Sequence, residues 1–400
     1  MKKVVLRNGL TLILRKTDSN SVTFGVCVKT GSNNEDMNNR GVSHFIEHMV
    51  FEGTKKRTSQ EIVRAIEKVG GEFNAFTDNE ITFYYAKVPS RFFQRALDVI
   101  SDMLENSIFD EKTIDKERKV IIEEINLWND DPKAYQWELF QKTVYKNHPA
   151  RFPVIGFKDT LKKTKRKDIL KYYNKYYAPN NMIVIITGNF PDNAETDIKN
   201  YFGNLKPKKI QEKKFKEEKK QNKIIKRKEK KEVAHSYLII GYNTVNRSHP
   251  DSYVLDVLSV ILGMGQSSRL FNEIRMKRGL SYNLGMQHDC NKTFGYIGAF
   301  VNTDHKNIEQ CRNLILQEFK LNNLTDKEVE EAKNMVEGLL LLRNEDTKEL
   351  AMSLGRWEFF GKAENFYDYV TRIRKVTKED VLRIAEKYLN KNYTEILIYK

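Results

Sequence analysis

Two histidines and a glutamate are the residues of this chain best placed to do chemistry. In His44-Phe45-Ile46-Glu47-His48 the polar side chains stand at positions i, i+3 and i+4, which share one face of a helix. Two neutral imidazoles four residues apart form a zinc-binding arrangement, and a glutamate between them can act as a base. The order H-x-x-E-H inverts the more familiar H-E-x-x-H. With 7 histidines in 400 residues, chance placement of this pattern is on the order of one in a hundred. Phe45, Ile46, Met49, Val50 and Phe51 interleave with it, so the helix should lie largely inside the fold, where a histidine needs a partner.

A catalytic zinc takes three protein ligands and keeps one position open. If Glu47 is the base, the third ligand comes from elsewhere. The lysine- and glutamate-rich stretch 111–128 reads as an amphipathic helix with Val120, Ile121, Ile122, Ile125 and Trp128 on its apolar side. Glu117 and Glu124 are two turns apart on one stripe, with Ile121 between them, while Glu123 points away beside Lys119 and Leu127. Helical geometry favours Glu117 or Glu124 over Glu123 and leaves those two open.

The surrounding elements can be read in order. Residues 3–15 and 22–30 alternate apolar and polar around a turn at Asn8-Gly9, as paired strands do. Gly31 to Gly41 is a polar loop, and Ser43 is placed to cap the motif helix. A capped helix starts at Thr58 and stops at Gly70-Gly71. Glu72 to Val88 reads as strand, turn near Asp78-Asn79, and strand, ended by Pro89. Residues 92–105 form a helix, and Asp130-Asp131-Pro132 closes the 111–128 helix.

Composition narrows the class. At 40% hydrophobic and 31% charged residues the chain is an ordinary globular protein, without a signal peptide or an apolar run of membrane-spanning length. Cys27, Cys290 and Cys311 show no ligand spacing, which predicts a reducing, cytoplasmic setting. The net charge of +15 is concentrated: residues 206–232 hold fourteen Lys/Arg against five Asp/Glu. Phe215 is the lone aromatic in that run, so it reads as a solvated linker and not as a nucleic-acid surface. Gly263-Met264-Gly265 reads as a turn, and His148, His235, His249, His288 and His305 lack ligand spacing.

An internal repeat organises the whole. Lys167-Asp168-Ile169-Leu170, Lys175-Tyr176 and Val184-Ile185-Ile186 recur 212 residues later as Glu379-Asp380-Val381-Leu382, Lys387-Tyr388 and Ile396-Leu397-Ile398. The openings SVTFGVCVKTG and HSYLIIGYNTV agree loosely. The reading is an α+β fold of two tandem homologous domains, each a mostly antiparallel sheet packed on helices. The domains are expected at 1–205 and 221–400, joined by a lysine-rich linker at 206–220. The second copy has no H-x-x-E-H, and Val336 stands at the counterpart of Glu124.

The segments GVSHFIEHMVFEGT, GGEFNAFTDNEITFYYAKV, ERKVIIEEI and GQSSRLFNEIRMKRGLSYN (265–283) resemble the pitrilysin/insulinase family of zinc peptidases, the inverzincins. The resemblance is nearest to the mitochondrial-processing-peptidase-like branch of short, two-domain subunits. It implies that His44, His48 and Glu124 bind one Zn2+ per chain, that Glu47 activates water, and that Glu117 supports the site from behind. It implies also that Asn74, Ala75 and Phe76 hold substrate backbone as an added β-strand. Arg275 and Tyr282 match residues of the second half that reach substrate and take part in catalysis.

The activity so implied is zinc-dependent endopeptidase action on peptides or unfolded segments. The implied assembly is a homodimer, or a heterodimer with a metal-less sibling, with no nucleic-acid or membrane partner. The alternative is a non-catalytic peptide-binding or assembly subunit of the same fold.

Overall fold

A computed structural model describes residues 1–400 apart from Glu217 and Lys220; that part of the expected linker lies outside the described residues. The first sheet contains β1 (Lys2–Val5), β2 (Thr11–Lys16), β3 (Ser21–Val28), β4 (Glu72–Thr77), β5 (Thr82–Pro89) and β6 (Met182–Gly188). Their order is β1-β2-β6-β3-β5-β4. The second contains β7 (Ile225–Lys230), β8 (Ser236–Thr244), β9 (Asn283–Cys290), β10 (Gly295–Thr303) and β11 (Thr394–Tyr399), in the order β7-β11-β8-β10-β9.

The two orders match strand for strand from β2 and β7 onward. Each has one parallel pair, β2 with β6 and β7 with β11, and is otherwise antiparallel. The helix Arg166–Tyr176 precedes β6 as the helix Lys378–Tyr388 precedes β11, which is the 212-residue repeat in three dimensions. β6 reads Met-Ile-Val-Ile-Ile-Thr-Gly and is buried along its length, as a strand covered on both faces must be. It lies between β2 and β3. The turn at Asn8-Gly9 therefore joins β1 to β2, with Lys2 opposite Leu14, instead of pairing the 3–15 and 22–30 segments. Gly9 has a φ of +85°, the left-handed conformation that glycine adopts without strain.

The chain forms two compact units, and neither is continuous in sequence. The first consists of Met1–Asn126, Pro153–Lys214 and Leu342–Phe366; the second of Leu127–Phe152, Phe215–Leu341 and Tyr367–Lys400. The passage at Lys214–Phe215 falls inside the 206–220 stretch, and each unit also includes one helix drawn from the other half of the sequence.

In the first unit that helix is Thr347–Phe360, which lies against β3, β5 and β6. Gly355 permits the approach: a Cβ there would meet Ile185 Cδ1 and Phe83 Cε2 at 3.2 Å. The helix also pins both ends of the β4 strand, through Lys348 to Glu72 at 3.1 Å and Arg356 to Asp78 at 2.9 Å. In the second unit the helix is Pro132–Val144, capped by Asp131. Its Leu139, Phe140 and Val144 pack with Tyr237, Ile239, Ile396 and Ile398. The lysine-rich stretch is fastened as well as solvated. Lys213 pairs with Asp36 at 3.0 Å in the first unit, and in the second Glu218 Oε1 accepts the N–H groups of Lys146 and His148 at 2.8 Å each.

β4 is an edge of the first sheet. Its residues alternate in facing. Phe73 meets Phe51 of the motif helix at 5.4 Å, and Thr77 reaches Glu47. On the other face Phe76 stacks on Phe83 at 5.7 Å, and Glu72 accepts from the Tyr85 hydroxyl.

Candidate metal centre

The motif helix runs Val42–Phe51. Its buried side chains Val42, Phe45, Ile46 and Met49 each contribute about 1.5–3 kcal/mol, and this burial fixes which face points inward. The start differs from the cap expected at Ser43. The helix begins one residue earlier, at Val42, behind Gly41, whose φ is +92° and whose missing Cβ would sit 2.6 Å from Ile155 O. The cap is Glu35, from the polar loop: Oε2 accepts the Gly41 N–H and Oε1 the Ser43 N–H, both at 2.8 Å. Ser43 lies inside the first turn and donates its hydroxyl to Tyr172. Burial pushes the Glu35 carboxyl up to about 7, against the two N–H bonds that favour its charge.

The opposite face presents His44, Glu47 and His48, and the helix Glu111–Asp130 supplies Glu124. Nε2 of His44 lies 3.9 Å and Nε2 of His48 3.5 Å from Oε2 of Glu124. One ligand atom from each of these three residues falls within 4.8 Å of the others, the one such cluster among the described residues. Tetrahedral zinc with bonds of about 2.0–2.1 Å places its ligands about 3.3–3.4 Å apart, so the spacing suits the ion with small side-chain adjustment. The donors, two imidazoles and a carboxylate, are the types that zinc accepts.

Electrostatics treat the two histidines differently. Burial, then the neighbouring His48, pushes His44 down to about 4, which leaves it neutral as a ligand must be. Burial also opposes charge on His48, but Glu124 and Glu117 outweigh it and its pKa is raised. The bond with His48 holds Glu124 below its ordinary range. Glu117 is buried, with Oε2 3.2 Å from Nδ1 of His48. Glu123 is exposed and accepts from Asn126. Helical geometry left Glu117 and Glu124 open; in the structure Glu124 faces Nε2 of both histidines, whereas Glu117 meets Nδ1 of His48.

Glu47 is held apart from the cluster. Its Oε2 accepts from Thr77 Oγ1 at 2.5 Å. Burial raises its pKa, and the Thr77 bond works against the rise. Asn74 and Ala75 lie on β4, where Asn74 Oδ1 takes the Ala75 N–H at 2.8 Å. Arg275 and Tyr282 belong to the second unit. The guanidinium of Arg275 lies 5.0 Å from the Tyr282 ring centre, and Tyr282 is 83% exposed. Glu35 and Thr77 escaped the sequence reading, because both act across distances in the chain that no helical or strand period reports. His288, assigned no role, joins Arg247 and Tyr369 around Asp256 of the second unit.

Comparison with known proteins places the chain in a wider set. The family model described as insulinase, peptidase family M16, matches residues 11–158, and the peptidase M16 inactive domain matches 163–336. A Bacillus subtilis protein described as an uncharacterized zinc protease, YmxG, is 32% identical, covering 100% of this chain and 98% of its own. A Streptomyces coelicolor protein with the same description, SCO5738, is 33% identical over 98% of this chain and 88% of its own. The crystal structure of a protease from Helicobacter pylori superposes with a TM-score of 0.94 at 25% identity, covering 100% of this chain and 99% of that one. A peptidase M16 inactive domain from Pseudomonas fluorescens has the same fold, with a TM-score of 0.90 at 18% identity over 100% and 97%. Among the described residues, no helix is long and apolar enough to cross a membrane.

Proposed function

Because the chain belongs to the insulinase family of peptidases, M16, we propose that it is a zinc-dependent endopeptidase acting on peptides or unfolded segments held as an added strand on β4. The observation that carries this reading is the meeting of His44, His48 and Glu124 within 4.8 Å, beside a glutamate on the same helix face. These three residues would hold one zinc ion. When bound, the ion supplies a Lewis acid that brings the acidity of water toward pH ~7 and polarises a carbonyl.

The remaining work falls to the chain's own groups. Glu47 accepts the proton of the attacking water and returns it to the departing amine. Glu117 holds the His48 ring through Nδ1. β4 supports substrate docking because, as an edge, it turns backbone groups away from β5. The Ala75 N–H taken by Asn74 Oδ1 is one that a peptide carbonyl would claim, with Phe76 next to it. Arg275 and Tyr282 are assigned as donors to substrate and to the oxyanion. The assembly proposed is a homodimer, with a heterodimer beside a metal-less sibling as its variant. The buried thiols of Cys27 and Cys311 favour a reducing, cytoplasmic setting.

A second reading, peptide binding without turnover, draws on the likeness to the inactive-domain structure. A quenched-peptide assay with and without chelator distinguishes them. Hydrolysis that stops on chelation and returns with zinc supports the peptidase; binding without hydrolysis in the zinc-loaded protein overturns it.

A further inference from the structure

We propose that Thr77 is the positioning residue for Glu47: its hydroxyl holds one carboxylate oxygen, so that the other alone takes the proton of the attacking water. This rests on the peptidase reading and names a residue to which that reading gives no part. Thr77 is the last residue of β4, and its Oγ1 donates to Glu47 Oε2 at 2.5 Å. A hydroxyl carries a single hydrogen, so this bond commits it. Thr82, opposite in register, is the more distant acceptor of that hydrogen at 3.5 Å, against 2.5 Å for Glu47, and gives its own hydrogen to Thr30 O. Among the described residues, Thr77 is the one side chain that hydrogen-bonds the Glu47 carboxylate, and its backbone N–H acts on that carboxylate as well.

The bond settles a geometrical problem. Glu47 shares a helix face with His44 and His48, and its flexible side chain can itself bind an ion. With Oε2 tethered to the strand, the carboxylate is drawn from the ligand set toward the edge where a peptide would lie. Oε1 is left to accept the proton of the attacking water and, in the later step, to pass it to the amine nitrogen as the C–N bond breaks. β4 is held by its ladder with β5 from Glu72 to Thr77, and ion pairs flank it, Glu72 with Lys348 and, one residue past Thr77, Asp78 with Arg356. One residue thus belongs both to the peptide-docking strand and to the orientation of the base.

The test compares Thr77→Val, which removes the hydroxyl at nearly constant volume, with Thr77→Ser, which keeps it, and with Glu47→Gln. Peptide turnover is read as kcat and KM separately, and zinc content by metal analysis. The expected result is a loss of about 10- to 100-fold in kcat for Thr77→Val, with KM within about twofold and zinc at the wild-type level. Thr77→Ser should stay within about threefold of wild type, since the hydrogen bond survives. Wild-type kcat in Thr77→Val beside an inactive Glu47→Gln overturns the inference and leaves the peptidase reading intact. An active Glu47→Gln overturns the base assignment, and the inference with it. Zinc loss in Thr77→Val, or equal failure of Thr77→Ser, overturns the inference by making Thr77 a structural residue. If Thr77→Val does not fold, Thr77→Ala is judged by the same criteria.

Discussion

Nδ1 of His48 stands 3.2 Å from the buried Oε2 of Glu117, so the ring is held from behind while its Nε2 faces Glu124. An imidazole fixed in this way presents its second nitrogen in one direction and with raised basicity. Glu117→Ala should therefore weaken zinc affinity by about 10- to 100-fold without removing a ligand. Competition against a chelator of known affinity measures it, and an unchanged affinity would count against the arrangement.

Depth separates the glutamates of the Glu111–Asp130 helix. Glu124→Gln should lose zinc on dialysis, whereas Glu123→Gln, altering an exposed side chain, should keep it. Equal metal content in the two purified variants would mean that Glu124 is not a ligand.

Glu47→Gln keeps the size of the side chain and removes its basicity. Zinc content should be unchanged, and peptide turnover should fall by about 10²–10⁴-fold, the range that a general base supplies. Full turnover in this variant would exclude Glu47 as base.

Tyr282→Phe deletes one hydroxyl from a side chain that is 83% exposed, so no core is disturbed. Turnover should drop by about 10²-fold, as when one oxyanion donor is lost, with melting temperature and zinc content unchanged. Arg275→Ala should behave likewise. Metal loss in either variant would move these residues from substrate contact to support of the zinc site.

Glu35 links stability to pH. Its folded pKa of about 7 lies above the ordinary carboxyl value of about 4.3, so its stabilising contribution is complete below about pH 4 and is lost as pH rises through about 7. Arg40 and Tyr172 are the charged and titratable groups that face it. In thermal melts, the advantage of wild type over Glu35→Gln should narrow from pH 5 to pH 8. A gap that does not change with pH would contradict it. Glu35→Ala, which leaves two helix N–H groups without an acceptor, should cost about 1–3 kcal/mol.

What the sequence revealed follows the range of each interaction. His44, Glu47 and His48 are legible because a helix converts spacing of three and four residues into one face. The repeat is legible because β6 and β11 carry apolar runs after matching helices. Ser43 looked like a cap because capping is usually local; the acceptor came from Glu35 because Gly41 turns the chain in the left-handed region and shifts the helix start. The pairing of β2 with β6, and the seating of Thr347–Phe360 on the first sheet, join residues more than 150 positions apart, and no local period encodes them.

That late helix also bears on how the protein is made. A ribosome releases β1 to β6 long before it reaches Thr347–Phe360, and until then one apolar surface over β3, β5 and β6 goes uncovered. At about 5–20 residues per second the wait is roughly 10–30 s, long enough for chaperones to engage the nascent chain and for premature stops to yield sticky fragments.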